Sequence, residues 1–197
     1  MAETYIGVPL ARNEDVRYLT GSATFVDDVN LDGMLHAAIL RSPHAHAKII
    51  GIDTSPAWSM PGVEAVYTFD DIASSAKAIP VRVFNMPGLE DFLQRPLAQD
   101  MVRYVGEPVA VVVAESRYLA EDALEAIQVE YGSLPAVVDI RQSIKEQVLV
   151  HEDNGTNLAS HAVVGFGDTD AAFMHAQYTR KEEFRTHRHT GNPLETR

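Results

Sequence analysis

Cysteine is absent from all 197 residues. That removes a disulfide scaffold, thiolate-held zinc, cysteine-held iron–sulfur clusters and a cysteine nucleophile from what this chain can itself contain. Long apolar runs are missing too: Val109 to Ala114 is six residues, against the roughly twenty of a membrane-spanning helix. The opening MAETYIGVPLAR has neither the basic start nor the apolar block of a signal peptide. A cytoplasmic protein without a membrane span is the expectation. Positive charge is scarce, with 16 Lys and Arg against 28 Asp and Glu and a formal charge of −12, which argues against a nucleic-acid partner. Neither a G-x-S-x-G elbow nor an H-E-x-x-H zinc motif occurs.

With 46% hydrophobic and 22% charged residues the chain has the means to build a core. Its most informative stretch is Val102 to Asp139, where the hydrophobic period changes twice. The unbroken run Val109–Ala114 predicts a strand covered on both faces. Ser116 is placed to cap a helix, and Leu119, Ala120, Ala123, Leu124 and Ile127 share one helical face, with Glu121, Asp122 and Glu125 on the remaining arc. Ile127, Val129 and Tyr131 then alternate with Gln128 and Glu130, predicting a second strand and one strand–helix–strand crossover unit.

Upstream, strands are predicted over Met34–Leu40, from Lys48 to Ile52, and over Val63–Phe69 with Val63, Ala65, Tyr67 and Phe69 on one face. Ile72 to Arg95 is broken by Pro80, Asn85, Pro87 and Gly88 into an irregular excursion. Downstream, a helix over Ile140–Glu146, a strand over Val148–Val150, and a strand–helix–strand over Ala162–Phe166, Gly167–Met174 and Gln177–Arg188 are expected. The predicted class is α+β (mixed α/β), divided into an extended lead-in 1–18, a domain 19–145, a linker 146–160 and the opening of a second, incomplete domain 161–197.

Two H-x-H pairs draw the eye as metal ligands. His44 and His46 follow Pro43 at a bend, where imidazoles more often satisfy backbone carbonyls than hold zinc. His187 and His189, with His175 upstream and Glu183 and Glu195 nearby, lie on an alternating polar segment that reads first as an exposed strand. Asp27-Asp28 and Asp70-Asp71 are adjacent in sequence, so their side chains diverge and serve best as turn or cap residues. Gly106, in the turn Val105-Gly106-Glu107-Pro108, supplies a backbone angle. Gly165-Phe166-Gly167-Asp168 lacks the third glycine and the lysine of a phosphate loop.

The segments LTGSATFVDD (19–28), GMLHAAILRSPHAHAKIIGID (33–53), PGVEAVYTFDDI (61–72) and RPLAQDMVRYVGEPVAVVVAESRYLAEDALEAIQVEYGSLPAVVD (95–139) closely resemble the start of the large, molybdopterin-binding subunit of molybdenum hydroxylases, the xanthine dehydrogenase, aldehyde oxidase and aerobic carbon monoxide dehydrogenase family. Residues 165–197 resemble that family's next segment, where the cofactor-binding region begins. The resemblance implies an a/b hammerhead domain over roughly the first 140 residues. It implies an oxidoreductase that hydroxylates carbon next to nitrogen or oxygen, or oxidises CO, with oxygen from water. Electrons then pass from molybdenum held by a pterin, through iron–sulfur clusters, to FAD in partner domains or subunits of an oligomeric assembly. The family's catalytic residues lie downstream of these positions, so no catalytic, cofactor-binding or metal residue carries over. His187, His189 and Glu195 remain candidates for lying near the parent pocket. The expected chain is an N-terminal fragment, inactive alone and binding no cofactor itself; a non-catalytic assembly module with the same fold is the competing expectation.

Overall fold

The computed structural model describes residues 6–9, 11–81, 88–187 and 191. In chain order these form helix α1 (Asp15–Leu19), strands β1 (His36–Arg41) and β2 (Ala47–Asp53), helix α2 (Ser55–Trp58), strand β3 (Val63–Tyr67), helix α3 (Phe69–Ile72), strands β4 (Met101–Val102) and β5 (Pro108–Ala114), helix α4 (Arg117–Ala126), strand β6 (Gln128–Ser133), and helices α5 (Ile140–Ser143) and α6 (Thr169–His175). Short 3-10 turns occupy Val26–Asp28, Leu89–Phe92 and Glu152–Asn154. Two compact units result: Leu35–Ala171, and the residues up to Met34 together with those from Ala172 onward.

The larger unit holds two three-stranded sheets, ordered β1-β5-β3 and β4-β2-β6. Every pairing is antiparallel. β5 is central because its valines and alanines suit a strand flanked on both edges, and Val109, Ala110, Val112 and Ala114 are fully buried. Against its inner face lies α4, whose Ala120 and Ala123 are also fully buried; their short side chains let the helix backbone come close to the sheet and to Ala57 of α2. Ser116 Oγ accepts the N–H of Leu119 at 3.3 Å and starts the helix as its sequence promised. A second small core of Ala47, Ala98, Val102 and Val109 sits under β2 and β4, and Ile52 with Val129 packs against both cores.

Several expectations change. β5, α4 and β6 do not make a crossover unit within one sheet. Both edges of β5 are taken, by β1 and β3, so the chain leaving α4 at Ile127 joins β2 in the other sheet. Nor is β5 covered equally on its two faces, since Val111 and Val113 stay half-exposed. In β3 a register shift between Val63 and Ala65 turns Val66 into the core and leaves Tyr67 43% exposed, reversing the alternation read from the sequence. Val148–Val150 is not a strand. The side chain of Asn157 takes the bonds a ladder would have used, donating Nδ2 to the carbonyls of Val148 (2.7 Å) and Ser143 (3.2 Å) and accepting the N–H of Val150 on Oδ1 (2.9 Å). Residues 146–160 are therefore a hydrogen-bonded loop of the larger unit. α5 stops at Ser143, short of the expected Glu146.

The strands expected over 162–166 and 177–188 are also missing from the described residues. Phe166 is 97% and Phe184 87% exposed, and without a neighbouring strand the alternating pattern has no ladder to join. Between them α6 does form, with Asp168 accepting the N–H of Ala171 at 2.9 Å. In the smaller unit the expected extended lead-in contains α1, where Arg12 pairs with Asp15 at 2.9 Å and the Thr20 hydroxyl donates to Val16 O at 2.7 Å. Tyr18 and Phe25 rings lie 5.5 Å apart, and Asp28 accepts the N–H of Phe25 at 2.9 Å, the cap role expected of that acid pair.

Candidate functional site

A polar cleft of about 570 Å³ lies in the larger unit between residues 90–100, the turn that joins β4 to β5, and the loop at His151–Asn154. The turn is built around Gly106, whose φ of 92° a side chain would oppose. Its N–H donates to Ser42 O at 2.8 Å, and the N–H of Ser42 returns a bond to Glu107 O at 2.9 Å, so the corner after β1 and this turn clasp one another. Arg41 adds a bond from Nη1 to Gly106 O at 2.9 Å.

Glu107, 7% exposed, turns its carboxylate inward to accept the backbone N–H of Arg103. Burial pushes its acidity toward higher pH, and the bonds from Arg103 and Tyr104 with the Arg103 charge pull the other way. Burial also raises the Tyr104 phenol, assisted by Glu107; its hydroxyl accepts from the Gln94 amide. The Arg103 guanidinium reaches across to Val150 O, Nε to oxygen 3.1 Å. Beside it the half-buried His151 ring stands edge-on to Phe92 with centroids 5.0 Å apart. Burial lowers the pKa of His151 from its usual value, and the charges of Arg103 and His46 lower it further against a smaller opposing pull from Asp153.

The first H-x-H pair is split. His46 is buried and bonds through Nδ1 to the carbonyl of Pro135 at 2.8 Å, with Nε2 against Met101 Sδ at 3.2 Å. His44 instead lies on the Tyr131 ring, centroids 4.7 Å apart. Of the second pair, His187 is exposed and outside any helix or strand; His189 and Glu195 lie outside the described residues. His175 ends α6, exposed. Among the described residues no three His, Cys, Asp or Glu side chains gather as a metal-binding group. The described side chains thus offer no ready-made ligand set for a metal ion or an iron–sulfur cluster. Sequence reasoning missed Arg103, Tyr104, Glu107 and His151. The one usable signal was an acid placed directly after the turn glycine and before a buried strand.

Residues 20–135 match the family profile described as aldehyde oxidase and xanthine dehydrogenase, a/b hammerhead domain. The chain belongs to this family. Along 98% of its length it is 42% identical to the nicotine 6-hydroxylase large subunit of Paenarthrobacter nicotinovorans, covering 23% of that protein. Identity to the carbon monoxide dehydrogenase large chain of Afipia carboxidovorans is 37%, over 97% of this chain and 25% of that one. Among solved structures it is similar to quinoline 2-oxidoreductase from Pseudomonas putida 86, with a TM-score of 0.67 and 42% identity over 81% of this chain and 20% of the other. For a Cu,Mo-CO dehydrogenase the TM-score is 0.68 at 38% identity, over 87% and 23%. The chain spans about a quarter of the length of the curated relatives it matches. Within the hammerhead match fall His46, Arg103, Tyr104 and Glu107, whereas His151 follows it. No helix among the described residues is long and apolar enough to cross a membrane.

Proposed function

We propose that the chain is the N-terminal, hammerhead-bearing portion of the large subunit of a cytoplasmic molybdenum-dependent hydroxylase or dehydrogenase, and that it is inactive alone. The parent oxidises an aldehyde, an N-heterocycle or purine, or CO, with water as the oxygen source, on molybdenum held by molybdopterin. Its partners are the rest of the large subunit and the iron–sulfur and flavin subunits. The observation that carries this reading is identity of 37% to 42% along nearly the whole chain to proteins named as large subunits of oxidoreductases, of which the chain covers about a quarter. A further relative at 37% identity is named as subunit gamma of a 6-hydroxypseudooxynicotine dehydrogenase complex, which supports the multi-subunit setting. Inactivity in isolation is supported by the chain's covering only about a quarter of those relatives.

The test is a graft. This chain replaces the matching quarter of the nicotine 6-hydroxylase large subunit, and the product is expressed with that enzyme's other subunits. We expect the chimaera to retain molybdenum and reduce an electron-accepting dye with its substrate, and the 197-residue chain alone to do neither. Stoichiometric molybdenum with turnover in the isolated chain would overturn inactivity; a folded chimaera that fails to assemble would overturn the large-subunit role.

A further inference from the structure

Among the described residues, two hydrogen bonds and one ring contact tie the loop at 148–157 to the cleft around one titratable ring. Arg103 Nε donates to Val150 O at 3.1 Å, Asn154 Nδ2 donates to Asp91 O at 2.9 Å, and between them the His151 ring meets the edge of Phe92 at 5.0 Å. The loop's other bonds, from Asn157 to Ser143, Val148 and Val150 and from Thr156 to Glu146, are internal to 143–157. Parting from the cleft would break those three contacts and leave the internal bonds in place.

We propose that residues 148–157 form a proton-operated latch over the cleft, closed while His151 is neutral and released when its ring takes up a proton. Arg103, on the turn after β4, holds the carbonyl of the residue just before this half-buried ring, and burial with the Arg103 and His46 charges disfavours a positive charge on it, against a smaller opposing pull from Asp153 on its own loop. Glu90 and Asp91 on the neighbouring 3-10 turn, with Arg95, Asp100 and Glu107, line the same cleft. Glu107 is already committed to the N–H of Arg103. An imidazolium here meets Arg103 without a carboxylate bonded to it. The relief open to it is withdrawal into water, which breaks the Arg103–Val150 and Asn154–Asp91 bonds and uncovers Phe92.

The direction follows from which state binds the proton better. The ring's pKa is lowered in the closed state, so the open state holds the proton more tightly. Opening is then unaffected by pH well above about 6.5, the free histidine value, and rises by up to about tenfold per pH unit below it until the closed-state value is passed. The latch rests on this chain's own residues and does not depend on the function proposed above.

Hydrogen exchange on the 197-residue chain tests it. After correction for the intrinsic exchange rate, peptides covering 148–157 are expected to lose protection on going from pH 7.5 to pH 5.5, and those covering β5 are not. His151→Gln, which keeps a neutral polar side chain, is expected to abolish that difference. Protection in the unsubstituted chain that does not change with pH, or the same loss in His151→Gln, would overturn the latch. Should the variant fail to fold, the imidazole carbon resonances of His151 in the unsubstituted chain decide: a ring titrating at or above the free value rejects the proposal, and one titrating below it in step with the loop amides supports it.

Discussion

The Glu107 carboxylate accepts the backbone N–H of Arg103, four residues earlier, and so closes the β4–β5 turn from its buried side. Replacing it with glutamine keeps an acceptor of the same shape and removes a charge that burial disfavours. Glu107→Gln is expected to leave stability at pH 7.5 unchanged or raise it slightly. Glu107→Ala leaves the Arg103 N–H without that partner and is expected to cost about 1–3 kcal/mol. Urea unfolding of the two variants distinguishes a structural acceptor from a structural charge.

The same carboxyl predicts a pH dependence. Its pKa is raised on folding, so the folded state binds the proton more tightly and the contribution of Glu107 improves as pH falls through that raised value toward the ordinary carboxyl range. Relative to Glu107→Gln, the unsubstituted protein is expected to gain stability as pH is lowered from 8 toward 4.5, the ordinary carboxyl value. A constant difference across urea melts in that window would refute it.

Asn157 stands in for a strand. In Asn157→Asp the acceptor for Val150 survives, but the two donations to Ser143 O and Val148 O become a carboxylate oxygen facing carbonyls. A loss of about 2–3 kcal/mol in the stability of this loop is expected, given two lost bonds and unpaired acceptors. Trypsin cleavage after the exposed Lys145 should accelerate, while cleavage after Arg117 in α4 should not.

Two glycines separate backbone strain from crowding. Gly62 has φ of 82° and a Cβ there would stand 2.8 Å from Leu119 Cδ1; Gly106 has φ of 92° and open space around it. Alanine at either position pays for a left-handed backbone, about 1–2 kcal/mol. At Gly62 the tip of Leu119 must also move out of the α4 packing. Thermal melts are expected to rank Gly62→Ala below Gly106→Ala, and the reverse order would refute the crowding argument.

Ser116 supplies the one side-chain cap of α4, and Ser116→Ala is expected to cost about 1 kcal/mol, lowering Tm by about 2–4 °C for a chain of this size. A variant with unchanged Tm would mean that the packing of Ala120 and Ala123 sets the helix without its cap.

What the sequence disclosed were the features decided locally. The valine run, the Ser116 cap, the acidic outer arc of α4, Gly106 and the acid pair at Asp27-Asp28 all depend on residues within one turn or one strand. Which strand β6 would join was not legible, because it depends on both edges of β5 being occupied by segments from the distant first half of the chain. Val66 and Tyr67 exchanged faces for a similar reason, since a bulge leaves no mark in an alternating pattern. The cleft was the least legible part. Arg103 and Val150 come together through a loop whose shape is set by one asparagine side chain, and no periodicity announces such a contact.

Each ladder of the two sheets joins a strand from the first half, β1, β2 or β3, to one from the second, β4, β5 or β6. During synthesis, then, the residues from His36 to Tyr67 leave the ribosome with no partner yet made. Neither sheet can begin to form until its first later strand has followed, Met101–Val102 for one and Pro108–Ala114 for the other, and the sheet holding β6 is complete only with Ser133. Pairings so distant in sequence fold slowly. For that interval the nascent chain leaves Leu40, Ile49, Ile52 and Val66, all partly or fully buried in the finished fold, open to whatever is nearby, the kind of exposure that holding chaperones cover.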